Sequence, residues 1–411
     1  MAQLLSVASA LERVLACCRR LEAESAPLAA AAGRTLATDV VADHDLPPFG
    51  NSAMDGYAVH SEDLLGATPE FPISLPAEAA IPAGRGDPGP LPPGRCARIM
   101  TGAPLPTGAD AVAPLEATAR TPEGQVLFMT PITAGSNRRP RGSDLAKGAR
   151  VLTAGTLLGP AELSLLAALG WAQALVTRRP RVLVISTGDE LVPIDAIPGP
   201  GQIHDSSLVA LPAQLAAAGA EVMGTAHAPD DPEALRQRFA AAVGVDLLIT
   251  SGGVSVGDRD YVRSVFEQLG EVVFHGVAIK PGKPLLFGRL RDGGSLFFGL
   301  PGNPVASMVT LDVFVRPAIE AFLGRGGRRL TLAGRWAAAV ASDPKRCEYV
   351  RVHAAPGSDG VWLATPTGDQ GSGRLTSMLG ANAYGIIAAG IERVVAGEPA
   401  VIELCRPPAG G

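Results

Sequence analysis

The sequence predicts an α/β multidomain chain. It comprises a Rossmann-like unit with a parallel-dominated sheet and helices on both faces, a helical and β region before it, and a small β-barrel-like domain after it. Three observations carry that expectation. Between residues 180 and 325, short apolar runs alternate with helical patterns, which implies parallel strands joined by covering helices. Residues 67–150 are dense in Pro and Gly around short apolar runs such as Ala111–Ala113 and Val126–Met129, the pattern of a mainly β module with irregular loops. Residues 336–405 return to short apolar strands and glycine turns. On this reading the chain divides into residues 1–179, with an inserted β subdomain at about 60–140, residues 180–325, and residues 326–411.

Leu4, Leu5, Ala8, Leu11, Leu15 and Leu21 recur near helical spacing, so residues 3–22 read as one amphipathic helix. Pro160–Ala168 reads as another, with Pro160 in its first turn and Gly170 past its end. The α/β unit then begins with strand Arg181–Ser186 and helix Ser206–Ala218 behind Asp205 as N-cap. Strand Val222–Ala226 leads to helix Pro232–Val243, where Asp231 is the cap and Pro232 fits the first helical position. Strand Asp246–Thr250, helix Tyr261–Leu269, strands Val272–Ile279, Leu285–Gly288 and Leu296–Gly299, and helix Pro304–Phe322 complete it. Asn303 reads as a cap, and residues 326–335 as a linker.

Composition excludes several classes. The 411 residues carry a net charge of -5, without the broad positive field that nucleic-acid binding requires. Five cysteines, two of them adjacent and none in a C-x-x-C pair, argue against a disulfide framework or a structural zinc site and for a reducing cytoplasm. The first apolar stretch is broken by Glu12 and Arg13, and no basic segment precedes it, so no secretory signal is expected. The most apolar internal segment, Leu163–Val176, is shorter than the ~20 residues of a membrane span and contains Ser164 and Gln173, so no membrane span is expected.

Ligands of open α/β sheets bind beyond the carboxyl ends of the strands. The segments that follow these strands carry distinctive chemistry: Thr187-Gly188-Asp189-Glu190, Pro229-Asp230-Asp231, Ser251-Gly252-Gly253 through Ser255 to Asp260, Lys280-Pro281-Gly282-Lys283, and Leu300-Pro301-Gly302-Asn303. Glycines let backbone N–H groups approach phosphate oxygens. The lysines supply compact positive charge. Asp189, Glu190, Asp230 and Asp260 are hard oxygen donors suited to Mg²⁺, which commonly takes one or two carboxylates plus substrate phosphates. Together they suggest a magnesium–phosphate or magnesium–oxyanion site. Neither a P-loop nor G-x-G-x-x-G follows the first strand, which disfavours NTPases and nicotinamide dehydrogenases. Singly, each residue also reads as something plainer, a cap, a solvated turn or a surface lysine; the joint occurrence on one rim carries the functional reading.

A second set lies far away in sequence. Asn51-Ser52-Ala53-Met54-Asp55-Gly56-Tyr57-Ala58 holds one acid among small residues, Arg98-Ile99-Met100-Thr101-Gly102 a hydroxyl beside a glycine turn, and Arg138-Arg139-Pro140-Arg141-Gly142-Ser143-Asp144 three guanidiniums suited to phosphate or carboxylate.

The motifs NSAMDGYA, RIMTGAPLP, STGDEL, SGGVSVGDRDY, AIKPGKP, GLPGNPV and QGSGRLTS occur in this order. The chain thereby resembles the molybdopterin molybdenumtransferases, the MoeA family, which includes the E domain of gephyrin. The resemblance implies four subdomains in a homodimer whose active clefts are shared between chains. It implies an insertase that takes adenylylated molybdopterin and molybdate, places molybdenum at the dithiolene and releases AMP with Mg²⁺. It also implies transient contact with molybdopterin adenylyltransferase and with proteins that mature molybdoenzymes. Carried over by motif, the family's acidic residues fall on Asp55, Glu190, Asp230 and Asp260 and its lysines on Lys280 and Lys283. Substrate contacts fall on Thr101, Arg139, Arg141, Asp144, Thr187, Gly188, Ser251, Gly252, Gly253, Ser255 and Pro301, with Arg346 and Ser372 from the last domain. Gly50 stands where many relatives have Asp, so that position supplies no ligand here, and PVAS sets Ser307 one residue later than the PVSA of some relatives.

Two other classes compete. An adenylyltransferase would resemble a stand-alone relative of the third subdomain, whose turn usually reads TGGTG; here it reads SGGVS, and further domains surround it. A non-enzymatic scaffold is disfavoured by the intact acids and lysines. Molybdate and tungstate share charge and nearly share shape, so the residues do not choose between them.

Overall fold

The computed structural model describes residues 4–84, 86–254, 261–291, 294–326 and 330–405. It forms two compact units. One comprises residues 38–154 and 160–172; the other comprises residues 1–37, 155–159 and 173–411.

The first unit is mainly β. Ala77–Ile81, Cys96–Ile99, Gly56–Val59 and Ala111–Pro114 form a four-stranded sheet in that order. Strand alternation sends Tyr57 and Val59 into one core and Ala58 into another. The motif around Asp55 thus runs directly into a strand buried on both faces, and the β module takes in chain before residue 60. Arg138–Arg139 pairs antiparallel with Asn51–Ser52, tying the arginine loop to the same motif. The helix Pro160–Ala168 has the bounds its sequence suggests.

In the other unit, the first helix is Val7–Ala16, shorter than the helix expected over 3–22. Ser6 caps it, accepting from the Ser9 amide, and Ala10 and Val14 enter the core. Helical spacing of leucines overstates its length, because extended chain buries the outlying ones. Leu5 bridges to Val277, and the Leu21 amide bonds the Phe322 carbonyl. Ala23–Pro27 is a strand antiparallel to Gln173–Thr177.

The α/β sheet has the order Glu221–Ala228, Arg181–Thr187, Leu247–Ser251, Leu296–Leu300, Leu286–Leu290, Gly270–His275. The first four are mutually parallel; Leu286–Leu290 is antiparallel to both of its neighbours, so the sheet is parallel-dominated. Helices Ser207–Ala218 and Pro304–Thr310 bury residues in one core, and Pro232–Ala240 and Tyr261–Leu269 in the other. Asp231 caps its helix by accepting from the Ala234 amide at 2.7 Å. The helix expected over 304–322 is interrupted by a π-helical turn at Leu311–Val315, where buried Asp312 pairs with Arg316 and accepts from the Tyr384 hydroxyl at 2.8 Å.

Two expectations fail here: an apolar run shows that chain is buried, not in which sheet, and a glycine cluster marks a break without showing where the next strand begins. The strand expected over Val272–Ile279 ends at His275; Gly276 turns at φ 90°, and Ile279–Lys280 pairs parallel with Cys347–Glu348 of the last domain. The linker expected over 326–335 overlaps a strand, Thr331–Trp336. The last domain is a small closed barrel. Cys347–Pro356, Trp362–Pro366, Thr331–Trp336, Pro399–Leu404 and Ala383–Ile387 pair in turn, and the last returns to the first. All five cysteines are free thiols. Among the described residues, no helix is long and apolar enough to cross a membrane.

Phe297 is fully buried in the second core, with its ring centroid 4.2 Å from that of Phe266 and 5.6 Å from that of Phe239. Phe297→Ala is expected to destabilise this unit by about 3–5 kcal/mol, through lost transfer energy and an unfilled cavity. Denaturant melting followed by tryptophan fluorescence and circular dichroism measures it.

Candidate active site

Strands ending along one rim create a hollow of about 580 Å³. Thr187, Gly188, Glu190, Asp230, Ser251, Gly252, Gly253 and Pro301 all line it. Gly252 and Gly253 have φ of 102° and 64°. A Cβ on Gly252 would lie 2.5 Å from the Thr187 carbonyl oxygen, and one on Gly253 2.6 Å from Val262 Cγ2. The glycines are therefore required by both conformation and space, and the wall they form presents backbone rather than side chain. Thr187 is buried, and its hydroxyl finds no hydrogen-bond partner among the described residues.

Asp189 does not line this hollow: its Oδ1 accepts from the Asp230 amide at 3.1 Å, bracing the turn that carries Asp230. Ser255 and Asp260 lie outside the described residues. The polar residues His204, Asp205, Ser206 and Ser207, which sequence reasoning did not assign to the hollow, line it too. From the sequence Asp205 reads as a cap only. Its Oδ1 does accept from the amides of Ser207 and Leu208, both at 3.1 Å, while Oδ2 accepts from the Ser186 hydroxyl. Ser206 holds the formal cap position without a side-chain bond. The Ser251 hydroxyl reaches Ser207 Oγ at 3.2 Å and the Pro301 carbonyl at 3.4 Å. His227 donates from Nε2 to the Gly188 carbonyl at 2.9 Å, fixing the glycine turn; a lone polar residue near a strand end was its only sequence signal.

A second hollow, of about 370 Å³, shares Pro284, Pro301, Gly302 and Asn303 with the first. Lys280, Lys283, Arg346 and Ser372 line it. The barrel, rather than a strand of the α/β sheet, positions Lys280, whose Nζ lies 3.0 Å from Oε1 of the buried Glu348. Arg346 makes two bonds to Asp343, at 2.8 and 2.7 Å. Lys283 is exposed and has no side-chain partner among the described residues. Asn303 occupies the cap position without capping, and donates from Nδ2 to Ser372 Oγ at 3.2 Å. Ser307 turns its hydroxyl back onto the Pro304 carbonyl at 2.9 Å, so that helix turn offers no free hydroxyl there.

In the other unit, Asp55 and Thr101 meet. Oδ1 accepts from the Thr101 amide and from its hydroxyl, each at 2.8 Å. These bonds, the amide first, hold the Asp55 carboxyl below its usual range, and Arg98 adds to them. Arg141 is tied to Asp45 at 2.6 Å, whereas Arg138 and Arg139 are exposed on their strand without side-chain partners among the described residues. Asp144 is exposed nearby in sequence.

Fold and site together define a multidomain α/β protein with a hollow at the strand ends of its parallel-dominated sheet. Residues 5–170 match the MoeA N-terminal region (domain I and II), residues 183–321 a probable molybdopterin binding domain, and residues 333–404 the MoeA C-terminal region (domain IV). The molybdopterin molybdenumtransferase of a Nostoc species is 38% identical over 389 residues, covering 93% of this chain and 88% of that protein. Molybdopterin molybdenumtransferase 2 of Mycobacterium tuberculosis is 46% identical over 307 residues, covering 72% of this chain and 75% of that protein. The crystal structure of the MoeA molybdopterin biosynthesis protein from Pyrococcus horikoshii superposes with a TM-score of 0.83 at 34% identity, over 98% of this chain and 99% of that one. The chain belongs to the molybdopterin molybdenumtransferase (MoeA) family.

Because its ionised form is the one bonded, Asp55 should titrate below an ordinary aspartate. The Asp55–Thr101 contact holds above the unfolded carboxylate range and weakens as pH falls through the lowered value. Thr101→Ala keeps the amide bond and removes the hydroxyl, so it should raise the Asp55 value part of the way back, as read by carbon-detected NMR titration.

Proposed function

We propose that the chain is a molybdenum insertase: it takes adenylylated molybdopterin and molybdate, inserts molybdenum at the dithiolene, and releases AMP in a Mg²⁺-dependent reaction. The observation that carries this is the pair of adjoining hollows, one walled by glycine backbone and carboxylates, the other by lysines and an arginine. Such a pair suits a phosphate-bearing pterin beside a tetrahedral dianion, and holding the two side by side is proximity catalysis. Glu190 and Asp230 both line the first hollow, and two carboxylates beside a phosphate match what Mg²⁺ takes from a protein. A bound Mg²⁺ would neutralise the pyrophosphate and polarise the phosphorus that water attacks. Backbone amides of the Gly252–Gly253 wall would bind phosphate oxygens, the Thr187 hydroxyl would meet a polar ligand atom, and Lys283 would hold molybdate or tungstate. The family resemblance supports Asp260 as a further acid, the cytoplasm as the compartment, and a homodimer in which Asp55, Thr101, Arg139 and Asp144 of one chain complete the partner's cleft.

Reconstitution with adenylylated molybdopterin and either oxyanion tests the reading. AMP release coupled to cofactor formation is expected, and a folded protein that releases no AMP would sink it. Lys283→Ala should raise the molybdate concentration needed for half-maximal insertion at least tenfold, with less effect on pterin binding. Thr187→Val should leave stability within about 1 kcal/mol, since the hydroxyl it removes is unbonded, yet weaken pterin binding severalfold in titration calorimetry. For the shared cleft, an Asp55→Asn chain is mixed with an Asp230→Asn chain, each inactive alone. Random exchange puts half of the protein in heterodimers, each with one intact cleft, so about a quarter of wild-type activity should return. No recovery after proven exchange would reject the shared cleft alone.

A further inference from the structure

Glu348 has no part in the site as the sequence presents it, yet it is among the most deeply buried charged groups in the molecule, 2% exposed. Parallel pairing of Ile279–Lys280 with Cys347–Glu348 sets it opposite Lys280. Its Oε1 lies 3.0 Å from Lys280 Nζ, and its Oε2 accepts from the Ser342 hydroxyl at 2.9 Å. Lys280 is 34% exposed and lines the second hollow. An ammonium has three donors. Glu348 takes one from the buried side, which leaves two for the hollow and fixes where they point.

The same contact sets charge. Of the three cations lining the hollow, Arg346 is neutralised by Asp343 and Lys280 by Glu348, so that Lys283 supplies the surplus. A hollow that must first accept a dianion and then give up its metal gains from this restraint. Three unpaired cations would bind oxyanions tightly, sulfate included, and release them slowly.

Resting on the oxyanion role proposed for this hollow, we infer that Glu348 is a positioning and affinity-determining residue: it holds the Lys280 ammonium at the wall and caps the hollow's net positive charge. Glu348→Gln retains an acceptor for Lys280 and removes the charge. It also deprives the buried Arg351 of an attractive neighbour. The variant should therefore melt at a lower temperature while binding molybdate about tenfold more tightly at low salt, the gain shrinking as salt rises.

The opposed directions separate this role from a structural one. A residue that only supported the fold would lose binding and stability together. Binding is measured by titration calorimetry on the full chain with molybdate, and with sulfate as the competing probe. Sulfate affinity should rise by a similar factor, narrowing discrimination between the two. Glu348→Asp keeps the charge and is expected to stay within about threefold of wild type; it decides the matter if the glutamine variant does not fold. Unchanged or weaker molybdate binding in folded Glu348→Gln, or a tenfold change in Glu348→Asp, overturns the inference. Lys283→Ala, run alongside, tests the underlying assignment: if it binds molybdate as wild type does, the hollow is not the oxyanion site, whatever Glu348 does.

Discussion

The α/β sheet gives up its chain at His275 and takes it back at Leu286, and the excursion between them holds the site together. In those residues the backbone turns at Gly276, bonds the Cys347 amide from the Ala278 carbonyl at 2.9 Å, and lays Ile279–Lys280 beside Cys347–Glu348. A short parallel pairing thus locks a loop of one domain to the barrel of the next. The placing of the lysines beside the barrel in the second hollow depends on it. Lys280 and Lys283 come from the excursion, and Arg346 and Ser372 from the barrel. Without the pairing the lysine loop would lose its strand partner in the barrel, and the buried carboxylate of Glu348 would lack its cation, a costly arrangement.

The barrel's contribution rests on a second buried charge. Arg351 is fully buried, and it organises the loop that carries Ser372 by donating to the Gly371 carbonyl at 3.2 Å and to Ser377 Oγ at 3.1 Å. Its amide donates to Gln370 Oε1 at 2.8 Å. Burial presses its guanidinium toward the neutral form, while Tyr384, Glu348 and Asp369 oppose that pressure. The loop at the second hollow is therefore shaped from below by a cation that does not itself line the hollow.

Much of this was legible in the sequence, and what was not has a consistent cause. Helices Pro160–Ala168 and Tyr261–Leu269 have the bounds their spacing indicates, because periodicity and flanking breakers agree there. Thr187, Glu190, Asp230 and Ser251–Gly253 could be placed on one rim because the strand-end rule needs only local order. What the sequence hid was partnership across domains. Nothing near Lys280 announces Glu348, nothing near Asn303 announces Ser372, and Asp205 looks like a cap because it is one, although it also lines the hollow. The apolar run through Ile279 reads as one strand for the same reason: burial is encoded locally, and the neighbour that provides it is not.

The wall between the hollows has acidic side chains on one side and basic ones on the other. Glu190 and Asp230 line the first hollow and Lys283 the second, so opposite charges lie on the two sides of it. Pro301-Gly302-Asn303 stands between them, and it is held from both sides. The Gly252 amide donates to the Leu300 carbonyl at 3.1 Å, and Ser251 Oγ donates to the Pro301 carbonyl at 3.4 Å. On the far side Asn303 donates to Ser372. A Cβ on Gly302 would sit 3.4 Å from Gly252 Cα, so the wall packs closely against the glycine turn as well. Asn303 leaves its helix uncapped by its side chain, and the bond it makes instead ties the wall to the barrel, keeping opposite charges apart in hollows that share their boundary.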